Sequence, residues 1–199
     1  DFVGTVVQTG GEIIRDRVAR YGIECDLRDG NIFTAFTAKQ MQELEAKQSL
    51  WRRHGHDNFE MLDRAALSRH IASDIYLGGM LDHSGGHMHP LNLALGEAAA
   101  FESLGGTIHE LSRVTSVENP AGRPVVRTAT GAIRPEVLIL AGNAYLGHLV
   151  PELENRIMPF STQIIATEPL GERGRALLPT NMCVEDVRYI LDYYRLSAD

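Results

Sequence analysis

Three groups of side chains in this chain have the types and spacing for chemistry. The first is His83-x-x-x-His87-x-His89. On spacing alone these imidazoles could ligate a metal, and the last pair has the His-x-His form of a strand-borne site. The rest of a ligand set does not follow. Pro90 starts a helix where a strand would be needed, the next acid after the pair is Glu97, and Asp82 is the nearest carboxylate. No metal is assigned, and two other readings stay open: histidines that order a loop, and histidines at the mouth of a ligand site. The second group is the run Tyr189-Ile190-Leu191-Asp192-Tyr193-Tyr194-Arg195-Leu196. As a strand it places Tyr189, Leu191, Tyr193 and Arg195 on one face. Aromatic walls favour an incoming cation, and an Arg can hold a carboxylate bidentately, so Tyr193 and Arg195 can form one wall of a pocket. The alternative is that the tyrosines are strand core and Arg195 a rim cation. The third is Ala141-Gly142, which follows Val137-Leu138-Ile139-Leu140. In open α/β sheets ligands sit just past the carboxyl ends of strands, where a glycine lets backbone approach closely, so Gly142 is a candidate contact.

The elements that must position these groups follow from punctuation and period. Pro90 can open a helix over 90–104, since a missing N–H costs nothing there, and Gly105-Gly106 can close it. Leu91, Ala94, Ala98 and Phe101 form its apolar face, expected to pack on a strand over 136–140 buried on both sides. Between them we expect strands at 107–111, 114–118 and 125–129, with turns at Asn119-Pro120-Ala121-Gly122 and Thr130-Gly131. Further strands are expected over 158–168 and 189–196, with a surface turn of helix over 171–178. Nearer the start, a first helix is interrupted at Gly10-Gly11, carries Ile13, Ile14, Val18 and Tyr21 inward, and ends at Gly22. A hairpin is expected next, 23–27 with 32–36 about a turn at Arg28-Asp29-Gly30. Thr37-Ala38-Lys39-Gln40 matches a capping box, and its helix runs to Trp51-Arg52-Arg53 with Met41, Leu44, Leu50 and Trp51 facing the core. Glu43, Glu45 and Lys47 are read as a solvated face. A short strand over 59–62 precedes a helix over 64–70 capped by Asp63.

Composition bounds the class. A chain of 199 residues with 44% hydrophobic content and net charge −7 is that of a globular protein with a sizeable core. It carries no basic patch for nucleic acid and no apolar run of membrane-spanning length. Cys25 and Cys183 stand far apart in sequence without flanking basic residues, and read as reduced thiols of a cytoplasmic protein.

The order of elements, with its residues, resembles the flavin-dependent amine oxidoreductases of the D-amino-acid oxidase and glycine oxidase superfamily. The resemblance rests on Leu81-Asp82-His83-Ser84-Gly85-Gly86-His87-Met88-His89-Pro90-Leu91-Asn92-Leu93-Ala94, on residues 141–147 and on Leu191-Asp192-Tyr193-Tyr194-Arg195-Leu196. Gly11-Glu12-Ile13-Ile14-Arg15 and Cys183-Val184-Glu185-Asp186 also fit. It spans nearly the whole chain and is nearest the branch that oxidises gamma-glutamylated diamines.

The resemblance implies an α+β (mixed α/β) fold: a substrate-domain sheet with flanking helices plus the second half of an FAD-binding Rossmann-like domain. It divides the chain into a first substrate-domain part at 1–84, a partial FAD domain at 85–155 and a second substrate-domain part at 156–199. It implies FAD as cofactor, with Val114, Ala141, Gly142 and Asn143 along it, and a small-molecule amine held by His87, His89, Tyr193 and Arg195. The expected reaction takes a primary amine to aldehyde, ammonia and hydrogen peroxide in polyamine breakdown. No catalytic residue is named, since hydride transfer is the flavin's work. The family's Gly-x-Gly-x-x-Gly phosphate loop and its glycine-rich C-terminal flavin segment do not occur in residues 1–199, and Asp1 is not an initiator Met. The chain therefore reads as the central part of a longer protein, which alone would hold FAD weakly and be inactive. The alternative is a non-catalytic domain of the same fold that binds a small molecule without the cofactor.

Overall fold

Ile32, Leu81 and Val184 stand opposite one another on three neighbouring strands, and the larger part of the fold is built about that row. The computed structural model describes residues 2–119 and 122–197. They fall into two compact units, Asp1–Gly106 with Thr167–Asp199, and Thr107–Ala166.

The first unit holds a five-stranded sheet. Its strands are β1 (Arg28–Ala35), β2 (Phe59–Asp63), β3 (Gly78–His87), β7 (Cys183–Asp186) and β8 (Tyr193–Tyr194), in the order β2-β3-β1-β7-β8. Only the β1–β7 pair is parallel. Period 2 gives the sheet two different faces. On one, Ile32, Leu62, Leu81 and Val184 meet Leu67, Ile71, Tyr76 and Leu178 in a buried cluster. On the other, Ala35 and Met80 are covered by Leu44 of α2 (Ala38–Arg53). That helix starts at the expected capping box, with Thr37 accepting from the Gln40 N–H and the Gln40 amide from the Thr37 N–H. Its inward face is Met41, Leu44, Gln48 and Trp51, while Leu50 is exposed. Asp63 caps α3 (Arg64–Leu67) as expected, and α6 (Glu172–Leu177) is the short helix expected near 171–178.

Helix α1 (Phe2–Tyr21) runs unbroken through Gly10-Gly11, because two helix-weakening residues inside a 20-residue helix lower its stability without ending it. Gly22 ends it with φ +60°. The next segment, 23–27, is not a strand and forms no hairpin. Arg28-Asp29-Gly30 lies inside β1, where Gly30 takes φ +95° at a break in the β1–β3 register between Asp29 and Asn31. The glycine read as a turn is therefore a bulge. Helix α4 (Pro90–Ser103) has the expected bounds, with His89 as its N-cap and Gly105 in the left-handed region past its end. It approaches Ile23 through Gly96, and Leu91 and Phe101 of the expected face are exposed.

The second unit is a three-stranded antiparallel sheet, β4 (Val114–Glu118), β5 (Val125–Thr128) and β6 (Ala132–Ile133). The expected turn before β5 includes Pro120 and Ala121, which lie outside the described residues. Around this sheet three expectations fail. Residues 107–111, 136–140 and 158–168 are not strands, and Val137, Ile139, Phe160 and Ile164 are each more than 75% exposed. Their apolar patterns ask for neighbours on both edges, and no described residue pairs with them. Residues 143–145 and 147–149 form 3₁₀ turns ahead of α5 (Pro151–Glu154). Among the described residues no helix is long and apolar enough to cross a membrane.

Candidate functional site

The three histidines do not converge. His83 Nε2 lies 3.1 Å from Glu60 Oε2 on an exposed part of the sheet. His89 Nδ1 accepts from the Asn92 N–H at 3.2 Å, so this side chain caps α4, and the His89 backbone N–H donates to the Cys25 carbonyl at 2.7 Å. His87 ends β3 and is 7% exposed. Its Nε2 is 2.8 Å from the carbonyl oxygen of Asn181. A carbonyl only accepts, so in the neutral ring Nε2 carries the proton and Nδ1 is left an acceptor. Nδ1 is buried and has no hydrogen-bond partner among the described residues, and the same holds for Oδ1 of Asn181. Asn181, with φ +51°, was not signalled by any motif. Its left-handed backbone ahead of a strand is a feature that only the folded chain reveals.

The strand expected over 189–196 is confined to Tyr193–Tyr194. Within it the alternation holds. Tyr194 turns to the Tyr76 side, where the two hydroxyls lie 3.0 Å apart, and Leu196 packs against the same cluster. Burial and the Tyr76 hydroxyl push the Tyr194 phenol up from its ordinary value. Tyr193 pairs with Glu185 on the opposite face and is 58% exposed, whereas Tyr189 and Ile190 project into solvent. The bend between β7 and β8 is pinned by Arg188, which reaches buried Asp186 at 2.6 Å and also pairs with Asp192. Burial pushes the Asp186 carboxyl up, but the Arg188 hydrogen bonds outweigh it and hold it low.

Tyr193 and Arg195 share their face with a polar row that sequence motifs did not single out. Asp82 of β3 stands opposite Asn31 of β1, and Asn31 opposite Cys183 of β7. One step along the β7–β8 register Arg195 comes opposite Cys183. Cys183 Sγ donates to Asn31 Oδ1 at 3.1 Å. Asp82 Oδ1 accepts from Asn58 Nδ2 at 2.7 Å and from the N–H and hydroxyl of Ser84. Burial pushes the Cys183 thiol up, with the Glu185 and Asp82 charges acting in the same direction and Arg195 against them. Burial also raises Glu185, opposed by Lys47, whose ammonium sits 3.9 Å over the Phe33 ring. A sign of Asp82 was in the sequence: a charge at the end of the run Gly78-Gly79-Met80-Leu81.

In the second unit Val114 opens β4, an edge strand, so its outer backbone groups are not used by the β4–β5 ladder. Ala141, Gly142 and Asn143 form a tight turn, with the Gly142 carbonyl accepting from the Tyr145 N–H at 2.9 Å and Asn143 at φ +48°. A Cβ on Gly142 would lie 2.9 Å from the Leu146 side chain. These residues offer bare main chain, which suits a nucleotide cofactor.

The family model described as FAD dependent oxidoreductase matches residues 3–199. The chain belongs to this FAD-dependent oxidoreductase family. It is 52% identical over its whole length to the gamma-glutamylputrescine oxidoreductase of Escherichia coli (strain K12), covering 47% of that protein. It is 38% identical over 94% of its length to a probable oxidoreductase, OrdL, of Haemophilus influenzae, covering 45% of it. The chain thus spans about half the length of these curated relatives. Among solved structures, L-proline dehydrogenase from P. horikoshii matches with TM-score 0.75 at 15% identity, over 97% of this chain and 52% of that one. Glycine oxidase from Bacillus cereus matches with TM-score 0.69 at 13% identity, over 94% and 51%. These two show the fold. The cofactor of this family is FAD, and the chain's mixed α/β architecture is the family's.

Proposed function

We propose that the protein carrying this chain oxidises the primary amine of a gamma-glutamylated diamine to aldehyde, ammonia and hydrogen peroxide, in the breakdown of polyamines. The observation that carries the reading is the 52% identity, along the entire chain, to gamma-glutamylputrescine oxidoreductase. FAD, when bound, would supply the hydride acceptor and the route for electrons to oxygen. The residues of this chain bind and orient. Val114, Ala141, Gly142 and Asn143 lie along the cofactor through their main chain. Arg195 holds the substrate carboxylate with its planar fork, and Tyr193 gives the aliphatic stem an aromatic wall. His87, buried against the Asn181 carbonyl, fixes the end of β3 and bears on the substrate through that segment. His89, engaged as the helix cap, keeps the His87-to-Pro90 segment in place and so acts on the substrate indirectly. The two free cysteines, Cys25 buried and Cys183 half-buried, suit a reducing cytoplasm. The isolated 199 residues lack the family's phosphate loop, and by themselves they are inactive.

The test is flavin content and amine-dependent peroxide production, measured on this chain and on the protein extended to the length of its relatives. Flavin and peroxide in the extended protein support the proposal. A colourless, inactive extended protein would leave the cofactor-free binding domain in its place.

A further inference from the structure

Asp82, Asn31 and Cys183 form a row across three strands on one face of the sheet, and Arg195, the residue after β8, extends it when the β7–β8 register is carried one step further, with an anion at one end and a cation at the other. All four side chains are half-buried, whereas Leu81, Ile32 and Val184, their neighbours on the opposite face, are buried. The row is therefore partly open to solvent at this end of the sheet. Asp82 also lines a cleft of about 300 Å³ beside α1, with Asn58, Ser84, Glu12 and Arg15. The positive charge there is already engaged, since Arg15 binds Asp29 and the carbonyls of Ser84 and Gly85. Asp82 Oδ1 takes three hydrogen bonds, and among the described residues Oδ2 takes none.

We infer that this row is a ruler for a two-ended ligand, with Asp82 receiving a primary ammonium and Arg195 a carboxylate. Three inter-strand steps separate β3 from β8, or about 14 Å at about 4.8 Å each. In an extended gamma-glutamylated four-carbon diamine, ten bonds separate the carboxylate carbon from the terminal nitrogen, about 12–13 Å at ordinary bond lengths. Asn31 and Cys183 lie beneath the amide and the methylenes, neutral where the ligand is neutral. The inference rests on the amine-oxidase reading and adds to it the residue that selects the amine end and the length.

The experiment is calorimetric binding to the FAD-loaded, full-length protein with its flavin reduced and oxygen excluded, so that nothing turns over. The probes are the gamma-glutamylated four-carbon diamine, the free diamine and the gamma-glutamyl butylamide, which keeps the carboxylate and its α-ammonium and lacks the terminal ammonium. Asp82→Asn keeps an acceptor for Asn58 and should weaken both ligands that carry the terminal ammonium about 10- to 100-fold, leaving the butylamide within about twofold. Arg195→Met should do the reverse, weakening both carboxylate-bearing ligands and sparing the free diamine. Asp82→Glu, one methylene longer, should move the preference to a three-carbon diamine derivative. A D82N protein that binds all three ligands as the parent does, or loses all three equally, overturns the ruler, as does an unmoved length preference in D82E. Those results, in a protein that still makes peroxide from the amine, leave the function standing. The expected binding split in a protein that oxidises no amine removes the function and leaves the ruler.

Discussion

His87 Nε2 donates to the Asn181 carbonyl across 2.8 Å, tying the last residue of β3 to the start of β7 just before the chain enters α4. This bond holds the imidazole in one tautomer, and its removal has a definite energetic signature. His87→Gln places an amide N–H near the Nε2 position and should fold with a loss below about 1.5 kcal/mol. His87→Ala leaves a buried carbonyl unpaired as well as a cavity, and should lose about 2–4 kcal/mol. Denaturant unfolding of the two variants beside the parent measures the difference. Equal losses would mean that the hydrogen bond contributes nothing.

Tyr76 and Tyr194 are a second case in which one partner is harmed by losing the other. The Tyr76 ring is buried, and its hydroxyl is paired to that of Tyr194. Tyr194→Phe should cost about 1–2 kcal/mol, because the Tyr76 hydroxyl loses its partner, whereas the double change to Phe should cost less than the sum of the singles. A double-mutant cycle gives the coupling directly, and additive losses would remove the pairing.

Glu185 supplies a pH dependence. Burial raises its carboxyl above the ordinary value, against the pull of Lys47. Since the folded state holds the proton more tightly than the unfolded chain, this group's contribution to stability is fully present below the ordinary glutamate range and is lost as pH rises through the raised value. Glu185→Gln should therefore be more stable than the parent at neutral pH and match it in acid. Thermal unfolding across that range checks the sign, and a variant less stable at neutral pH would reverse it.

Much of this was written in local chemistry. Thr37 with Gln40, Asp63, Pro90 and Gly105 each set a helix end from a single side chain or a fixed φ, so those boundaries are legible without knowing the fold. The errors lie where a decision belongs to distant partners. Gly30 looks like a turn because φ +95° suits one, but β3 and β7 flank it and make it a bulge. β3 itself, with Gly78, Gly79, Gly85 and Gly86, has little strand character in its residues. A Cβ at Gly79 would lie 2.5 Å from the Phe33 carbonyl oxygen, so backbone proximity to β1 explains it. Residues 136–140 fail in the opposite way, with ample strand character and no described neighbour to pair with. The candidate site divides likewise. His87 and Arg195 were visible as residue types, whereas Asn181 and the Asp82 row exist only through register.

Gly142 is where the cofactor expectation meets a single atom. Its Cβ would come within 2.9 Å of Cδ2 and 3.0 Å of Cγ of Leu146, in a turn whose next residue, Asn143, is already left-handed. Gly142→Ala makes Leu146 give way, and Gly142→Val adds branches on the side where main chain must lie bare for a nucleotide. In the full-length protein the valine variant should purify with at most about a tenth of the parent's flavin, a tenfold loss corresponding to about 1.4 kcal/mol of cofactor affinity, and the alanine variant should fall between. Adding Leu146→Ala to Gly142→Ala should recover flavin by removing the clash. Recovery separates a displaced turn from a general loss of fold, and full flavin content in the valine variant would take Gly142 out of the cofactor site.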